Sequence, residues 1–254
     1  MKAEDFHGFL ANFNSDSANQ ITMAPNFQDL YNLYFKARIN RSVAILEIGS
    51  GWSTLALSLA LIENEISYSH ETSFRHPNLF TLMTVDASSY FQDIACARLE
   101  RIVEFIPHKN NIKVIPIKSD AQMTLLNNQI CHTFLNIPPF TADFIYLDGP
   151  DCAQVQGDYM GMHVRFGNKL NNNLYGLPMS GDLLMLEPYM WPGTIIVIDG
   201  RGANARFLQN NFKRNWEYSY DSDSDQHYLL LNEKPWGGIS SSILEFNGRL
   251  SKQM

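Results

Sequence analysis

The chain has 254 residues, 45% of them hydrophobic, so it can bury a large core, and we expect one domain over residues 1–254. Its net charge of −7 and the lack of a Lys or Arg run disfavour a nucleic-acid-binding protein. The three cysteines show no metal-ligand spacing, and the N-terminus shows no secretory signal. No apolar stretch reaches about 18 residues, so we expect a cytoplasmic protein without a membrane span.

Residues 1–40 are predicted to form a helical segment ahead of the first strand. A short helix is predicted from Phe6 to Phe13, and Pro25-Asn26 marks the start of a second one. Large apolar side chains then recur at helical spacing: Phe27, Leu30, Tyr31, Tyr34 and Phe35. We interpret them as a face that packs on the sheet rather than as a ligand-binding aromatic stripe.

The next element is a short apolar strand, Val43 to Ile48, which is followed by Gly49-Ser50-Gly51 and a second apolar run. The two glycines permit a sharp turn and let a ligand approach the backbone. Ser53 or Thr54 can cap the helix that follows, whose first N–H groups are free to bind a ligand. A strand, a glycine turn and a helix form a nucleotide-type binding corner. The alternative is the same unit without a ligand.

Two positions of this corner favour one kind of nucleotide. A dinucleotide-binding motif has a third glycine at the position where this chain has Thr54, so a dinucleotide site is disfavoured. The carboxylate of Glu47 would repel a diphosphate group, but it would suit a cation or an amine of the ligand. The Glu47-x-Gly49-x-Gly51 pattern resembles the first motif of class I S-adenosylmethionine-dependent methyltransferases. The resemblance implies a cofactor site built from the following residues: Glu47, Gly49, Ser50, Gly51, Ser53 and Thr54.

A second strand is predicted over 79–85, after an irregular surface insertion at 63–80. Asp86 ends this strand, where a carboxylate can accept hydrogen bonds from both ribose hydroxyls of a nucleotide. Glu71 is the alternative ribose ligand if the second strand is instead Ile66 to Ser69.

A helix over 91–105 and a strand over 112–117 follow, and Pro116 places that strand at a sheet edge. Asp120 comes next, beside Ala121. The family resemblance implies that these two residues contact the adenine, with Asp120 accepting from its amino group. Equally, Asp120 can be the N-cap of a helix over 121–130.

The fourth strand, 142–148, ends in Asp148-Gly149, and Asp143 at its start is interpreted as structural. Many small-molecule members of the same family have a D-x-x-x-x-D-G pattern here, which implies that Asp148 contacts the cofactor. Residues 152–181 are too long for a simple connection, so we expect a lid or substrate loop that carries His163.

A helix over 183–190 leads through Pro192-Gly193 to a fifth strand, 194–198, that ends at Asp199. Two strands, 216–220 and 227–231, follow a helix that ends at Phe212. The acidic turn between them lacks the glycine and the glutamate of a calcium loop. The resemblance implies a Rossmann-like, doubly wound α/β fold with a mostly parallel seven-stranded sheet and a terminal antiparallel strand pair.

Asp148 and Asp199 end neighbouring strands of this fold and would lie about 5 Å apart. They can hold a divalent cation such as Mg²⁺ or Mn²⁺, or one of them can be a general base with a raised pKa. The metal-dependent members have Asn after the second Asp where this chain has Gly200, and Arg201 can instead neutralise Asp199. His163 is a further candidate base.

These features favour S-adenosylmethionine-dependent O-methylation of a small molecule or sugar. Asn136-Ile-Pro-Pro139 precedes the fourth strand, unlike the motif of nitrogen methylation, which ends it. An NAD-type dehydrogenase and a non-catalytic cofactor-binding or assembly protein are the alternatives. The sequence is compatible with a homo-oligomer.

Overall fold

Two sheets, one of seven strands and one of four, form the framework of a computed structural model that describes residues 1–13, 25–72, 74–106, 111–161 and 179–249. The helices are α1 (Ala3–Ala11), α2 (Phe27–Ile39), α3 (Trp52–Tyr68), α4 (Ser89–Phe105), α5 (Asp182–Leu186), α6 (Gly202–Asn211) and α7 (Gly238–Phe246). The strands are β1 (Ala44–Ile48), β2 (Thr81–Asp86), β3 (Lys113–Lys118), β4 (Ala121–Leu126), β5 (Gln129–Phe134), β6 (Phe144–Leu147), β7 (Val155–Gln156), β8 (Met179–Ser180), β9 (Ile195–Asp199), β10 (Trp216–Asp221) and β11 (Gln226–Leu231).

The larger sheet has the strand order β10-β11-β9-β6-β1-β2-β3. From β9 to β3 all neighbouring strands are parallel, whereas β11 is antiparallel to both β9 and β10. The predicted seven-stranded, mostly parallel sheet with a terminal antiparallel pair is therefore confirmed. β3 lies at the edge, where the missing N–H of Pro116 is tolerated.

Helices cover both faces of this sheet, which explains why β1, β2 and β6 are buried along their whole length. On one face, α1, α2 and α3 pack their apolar side chains against Ile45 and Phe144. On the other face, α5 and α6 pack against Leu46 and Ile145. Because successive side chains of a strand point to opposite faces, one apolar run supplies both cores.

The smaller sheet has the strand order β7-β4-β5-β8. It contradicts both the alternative helix over 121–130 and the N-cap role of Asp120. Residues 121–130 do not form the alternative helix but enter the β4–β5 hairpin, whose turn is Asn127-Asn128 with φ of 50° and 61°. Asn tolerates this left-handed conformation, which two-residue hairpin turns require. Asp120 consequently precedes a strand and is not a helix N-cap.

The connection between β1 and β2 also differs from the expected one. α3 continues to Tyr68 and is followed by a short 3₁₀ turn, so Ile66 to Ser69 is not a strand. The second strand is β2, as the first of the two alternatives predicted. None of the helices within the described ranges is long and apolar enough to cross a bilayer.

Candidate active site

A cleft of about 620 Å³ opens where β1, β2, β6 and β9 end. Its floor consists of the residues that follow these strands, and the first turns of α2 and α3 border it together with α4. Ligands of open α/β sheets bind at this edge, at the point where the strand order reverses. The volume suits a nucleotide-sized ligand.

The two glycines of the first turn have different roles. Gly49 has φ of +100°, and a β-carbon there would lie 2.7 Å from the Gly149 backbone nitrogen. Gly49 therefore permits close contact between the turns after β1 and β6, and it also lines the cleft. Gly51 lines the cleft, and a β-carbon on it would meet only Ser53 Oγ, at 3.9 Å. The expected approach of a ligand to bare backbone is thus available at Gly51.

Glu47 does not line the cleft, contrary to the expectation that it meets the ligand. Its side chain is fully buried beneath the turn, where Ser53 Oγ and Thr54 Oγ1 donate to its two carboxylate oxygens at 2.6 and 2.7 Å. Burial raises its pKa to about 7, although these hydrogen bonds lower it. Glu47 and Thr54 therefore fix the start of α3, while Ser50 and Ser53 remain on the cleft wall.

Asp86 lies at the end of β2 and lines the cleft. Its carboxylate accepts hydrogen bonds from the backbone N–H groups of Ser50, at 2.7 Å, and Ser88, at 2.6 Å. Burial raises its pKa, and these backbone bonds oppose the rise. Glu71, the alternative, lies in the 3₁₀ turn with its side chain 44% exposed and paired with Arg41. The strand-end position therefore belongs to Asp86.

Asp120 and Ala121 do not line the cleft. Asp120 is paired with Lys118, at 3.0 Å, and its side chain is 45% exposed. Ala121 is buried as the first residue of β4. The adenine contact that the family resemblance implied for these two residues therefore has no counterpart in the cleft, because the chain continues from Asp120 into the β4–β5 hairpin.

Asp148 follows β6 on the cleft floor and interacts with Arg201. Arg201 Nη2 donates to the Asp148 carbonyl at 2.6 Å, and its Nε lies 3.4 Å from Asp148 Oδ1. Desolvation raises the pKa of the Asp148 carboxyl, Arg201 lowers it, and Asp199 raises it again. Because 46% of the Asp148 side chain is exposed, solvent moderates this rise.

Asp199 ends β9 directly beside Asp148, since Leu147 and Ile198 are paired in the sheet. It accepts a hydrogen bond from Gln226 Nε2 at 3.3 Å and another from the Tyr146 hydroxyl. Burial raises the pKa of Asp199. Asp29, on the first turn of α2, faces the same end of the cleft, and burial and the charge of Asp199 raise its pKa.

Of the predicted lid, 152–181, the structure describes residues 152–161 and 179–181. Cys152 and Gln154, just after β6, line the cleft. His163, the further candidate base, lies outside the described residues.

The carboxylates at the strand ends do not match a divalent-cation site. Within the described ranges, no three His, Cys, Asp or Glu side chains are grouped as metal ligands. The Arg201 guanidinium lies against Asp148, and two hydrogen-bond donors are directed at Asp199. The expected Mg²⁺ or Mn²⁺ between Asp148 and Asp199 therefore has no supporting donor set.

Several cleft residues were not predicted from the sequence: Asp29, Trp52, Arg98, Tyr146 and Gln226. Tyr146 could have been found, because residues two positions apart on a strand share a face and Asp148 was already placed. The others come from helices or from the antiparallel strand, and their approach to the cleft depends on tertiary packing.

No family model matches the chain, and no curated protein matches it. Among solved structures, it is similar to the O-methyltransferase TomG of Streptomyces achromogenes, a complex with S-adenosylmethionine, with 14% identity over 92% of this chain and 100% of that one, at a TM-score of 0.39. It is also similar to cofactor-bound Rv0187 from MTB, with 16% identity over 89% of each chain and a TM-score of 0.44. An O-methyltransferase of Bacillus cereus, in complex with S-adenosylhomocysteine, has 15% identity over 91% of this chain and 90% of that one, with a TM-score of 0.37.

These likenesses are too distant to add to what the sheet itself shows. Its strand order reverses between β1 and β6, and the antiparallel strand β11 lies between β9 and β10. The ligand cleft lies at the carboxyl ends of the parallel strands, on the side of the glycine turn. On this topology, the chain has the fold of the class I S-adenosylmethionine-dependent methyltransferases.

Proposed function

We propose that this protein is an S-adenosylmethionine-dependent methyltransferase that methylates a hydroxyl group of a small molecule or sugar. One observation carries the proposal: Gly51, Asp86, Asp148 and Asp199 meet around a single nucleotide-sized cleft. The fold alone does not determine the activity. This grouping of residues is the reason to choose methyl transfer.

The cofactor site is proposed on the wall formed by Ser50, Gly51, Ser53 and Asp86. The open space beside Gly51 leaves room for a ligand against the backbone, and Asp86 offers carboxylate oxygens to ribose hydroxyls. S-adenosylmethionine, when bound, supplies a methyl group on a sulfonium, which is an excellent leaving group. The protein must therefore mainly align the acceptor and remove its proton.

Asp199 is the proposed general base. Its pKa is raised by burial, which brings a carboxylate closer to the operating pH at which a base is most effective. Tyr146 donates to it and so orients the carboxylate. Asp148, held by Arg201, is proposed to contact the cofactor and the acceptor, and His163 remains a second candidate base.

Calorimetric titration with S-adenosylhomocysteine, run beside NAD, tests the proposal. We expect micromolar binding of S-adenosylhomocysteine and none of NAD. Binding of NAD alone would support a dehydrogenase. Binding of neither would overturn the cofactor assignment.

A further inference from the structure

Two large aromatic side chains are exposed on the edge strand of the larger sheet. Tyr218 and Tyr220 lie on β10, the outermost strand, and the two residues are 40% and 49% exposed. Because they are two positions apart on a strand, both side chains lie on the same face of the sheet. Edge strands commonly carry charged side chains that prevent association, so a pair of exposed aromatic rings here indicates a binding surface.

Ring contacts and hydrogen bonds hold these two side chains in place. The buried His227 ring lies 4.6 Å from the Tyr220 ring and 5.9 Å from the Tyr218 ring, with interplanar angles of 28° and 23°. The Tyr218 hydroxyl is 2.7 Å from His227 Nδ1, and the Tyr220 hydroxyl donates to Asp225 Oδ1 at 2.8 Å. We call the rings of Tyr218, Tyr220 and His227 the aromatic shelf. Because both hydroxyls are engaged within the protein, the shelf offers mainly ring faces to a ligand.

The aromatic shelf lies beside the end of the cleft that holds Asp199. The backbone N–H of Gly200, the residue after Asp199, donates to the Asp225 carbonyl at 2.9 Å. Gln226, which follows Asp225 in the chain, lines the cleft and donates to Asp199. A part of the acceptor that extends past Asp199 would therefore reach Asp225 and the shelf.

The carboxylates around the shelf restrict what it can bind. Asp221, Asp223 and Asp225 lie in or beside the turn between β10 and β11, and Asp29 and Asp199 lie in the adjoining cleft. Anionic groups, such as sugar acids or phosphates, would be repelled by these carboxylates. A neutral sugar ring fits this surface, because its C–H groups can pack on an aromatic face while its hydroxyls donate to carboxylate oxygens.

We propose that the acceptor is a neutral or amino-bearing oligosaccharide and that the aromatic shelf binds the sugar unit next to the one that is methylated. This inference rests on the proposed function, because it takes the Asp199 end of the cleft as the acceptor site. It specifies the substrate class and adds Tyr218 and Tyr220 as specificity-determining residues outside the cleft.

The first test applies the protein, saturated with S-adenosylhomocysteine, to an array of neutral, amino-bearing and acidic oligosaccharides. We expect it to bind one or more of the neutral or amino-bearing members and none of the acidic ones. Equal or stronger binding of acidic oligosaccharides, or binding of no oligosaccharide at all, would overturn the inference.

Variants of the shelf then locate the binding of the tightest oligosaccharide from the array. Tyr220→Ala and Tyr218→Ala should each weaken it about tenfold in calorimetry, the usual effect of losing one stacked ring, whereas Tyr220→Phe should keep most of the affinity. The matched control is Tyr189→Ala, because Tyr189 is also an exposed tyrosine but lies outside both the cleft and the shelf. Thermal melting of each variant verifies that it is folded.

The outcomes separate this inference from the proposed function. Unchanged oligosaccharide affinity in both alanine variants would overturn the inference alone, provided that S-adenosylhomocysteine still binds. A dimer in light scattering that becomes a monomer in Tyr218→Ala would also overturn it, because a second copy would then cover the shelf. Failure of the unmodified protein to bind S-adenosylhomocysteine would overturn the proposed function, and the inference with it.

Discussion

Gly49 and Gly51 stand two positions apart in the same turn, but the structure requires them for different reasons. At Gly49, both the positive φ and the neighbouring Gly149 backbone exclude a side chain. At Gly51, the backbone is extended, and the space beside it is the cleft itself. The first glycine is therefore required for the packing of two turns, and the second leaves the cleft wall beside it open.

Substitution of each glycine should separate these two roles. Gly51→Arg should abolish S-adenosylhomocysteine binding while the melting temperature stays close to that of the unmodified protein, because the long side chain enters the cleft. Gly49→Ala should lower the free energy of unfolding by about 2 kcal/mol or more, because it adds strain and a clash. Calorimetry and denaturant unfolding measure the two effects. Unchanged affinity in Gly51→Arg would contradict the proposed cofactor site.

Removal of the carboxylate of Asp199 should affect turnover but not cofactor binding. Once an acceptor is found, Asp199→Asn should lower kcat at least about a hundredfold, the usual contribution of a positioned base. Asp120→Asn is the matched control, since Asp120 lies outside the cleft. Full activity of Asp199→Asn would reject it as the base.

Turnover in the presence of EDTA should be unchanged, because Arg201 lies against Asp148 and Asp199 accepts hydrogen bonds from Gln226 and Tyr146. A loss of turnover on chelation would contradict this metal-free arrangement.

The sequence predicts correctly which residues lie at the strand ends, but it does not predict where their side chains point. Asp86, Asp148 and Asp199 were predicted correctly at the ends of their strands because parallel strands end at one edge of the sheet. Glu47, two positions before the turn, was expected to face the ligand. The hydroxyls of Ser53 and Thr54 turn it inward, and the sequence does not show that contact.

At the scale of elements, Glu187 joins two segments that are separated in the sequence by β9 and α6. Its carboxylate accepts hydrogen bonds from the backbone N–H groups of Lys213 and Arg214 and from Trp216 Nε1, each at 2.9 Å. The residue is only 4% exposed. It thereby connects the 3₁₀ turn before β9 to the chain between α6 and β10.

Glu187→Gln should lower the free energy of unfolding by about 1–3 kcal/mol, because an amide nitrogen cannot accept hydrogen bonds from these donors. S-adenosylhomocysteine affinity should stay the same, since Glu187 lies outside the cleft. Denaturant unfolding measures the loss, and Glu245→Gln, at an exposed position of α7, provides the comparison. Equal stability of the two variants would contradict the role of Glu187.

Whether a strand could be predicted depends on how clear the hydrophobic pattern of its sequence was. The strands β1, β6 and β9 are apolar runs buried from both sides, and they were found within two residues of their observed bounds. The β4–β5 hairpin was missed because its strands are only partly buried and mix polar with apolar residues. The Asn127-Asn128 pair was the local signal for its turn.

At the scale of the whole molecule, two sets of buried groups oppose each other as the pH changes. Burial raises the pKa of Glu47, Asp143 and Asp182 to about 7, so each stabilises the fold at low pH and loses that contribution as pH rises to about 7. Burial lowers the pKa of His76 and His132 to about 4, so they stabilise the fold above their ordinary pKa and lose that contribution as the solution is acidified.

We therefore expect the free energy of unfolding to fall most steeply between about pH 6 and pH 7, where the opposing contribution of the histidines fades and the carboxyls are still losing theirs. Denaturant unfolding across this range measures the fall, and Glu47→Gln should make it shallower. A free energy of unfolding that rises through this range would contradict the raised pKa values.

The contact between Gly49 and Gly149 has a geometric consequence for the whole cleft. It brings the turn after β1, beside the proposed methyl donor, against the turn after β6, beside the proposed acceptor, with backbone touching backbone. A β-carbon at either position would clash with the backbone of the other turn and push the two turns apart. The spacing of these two cleft turns is thus set by two missing side chains, so it is built into the framework of the protein.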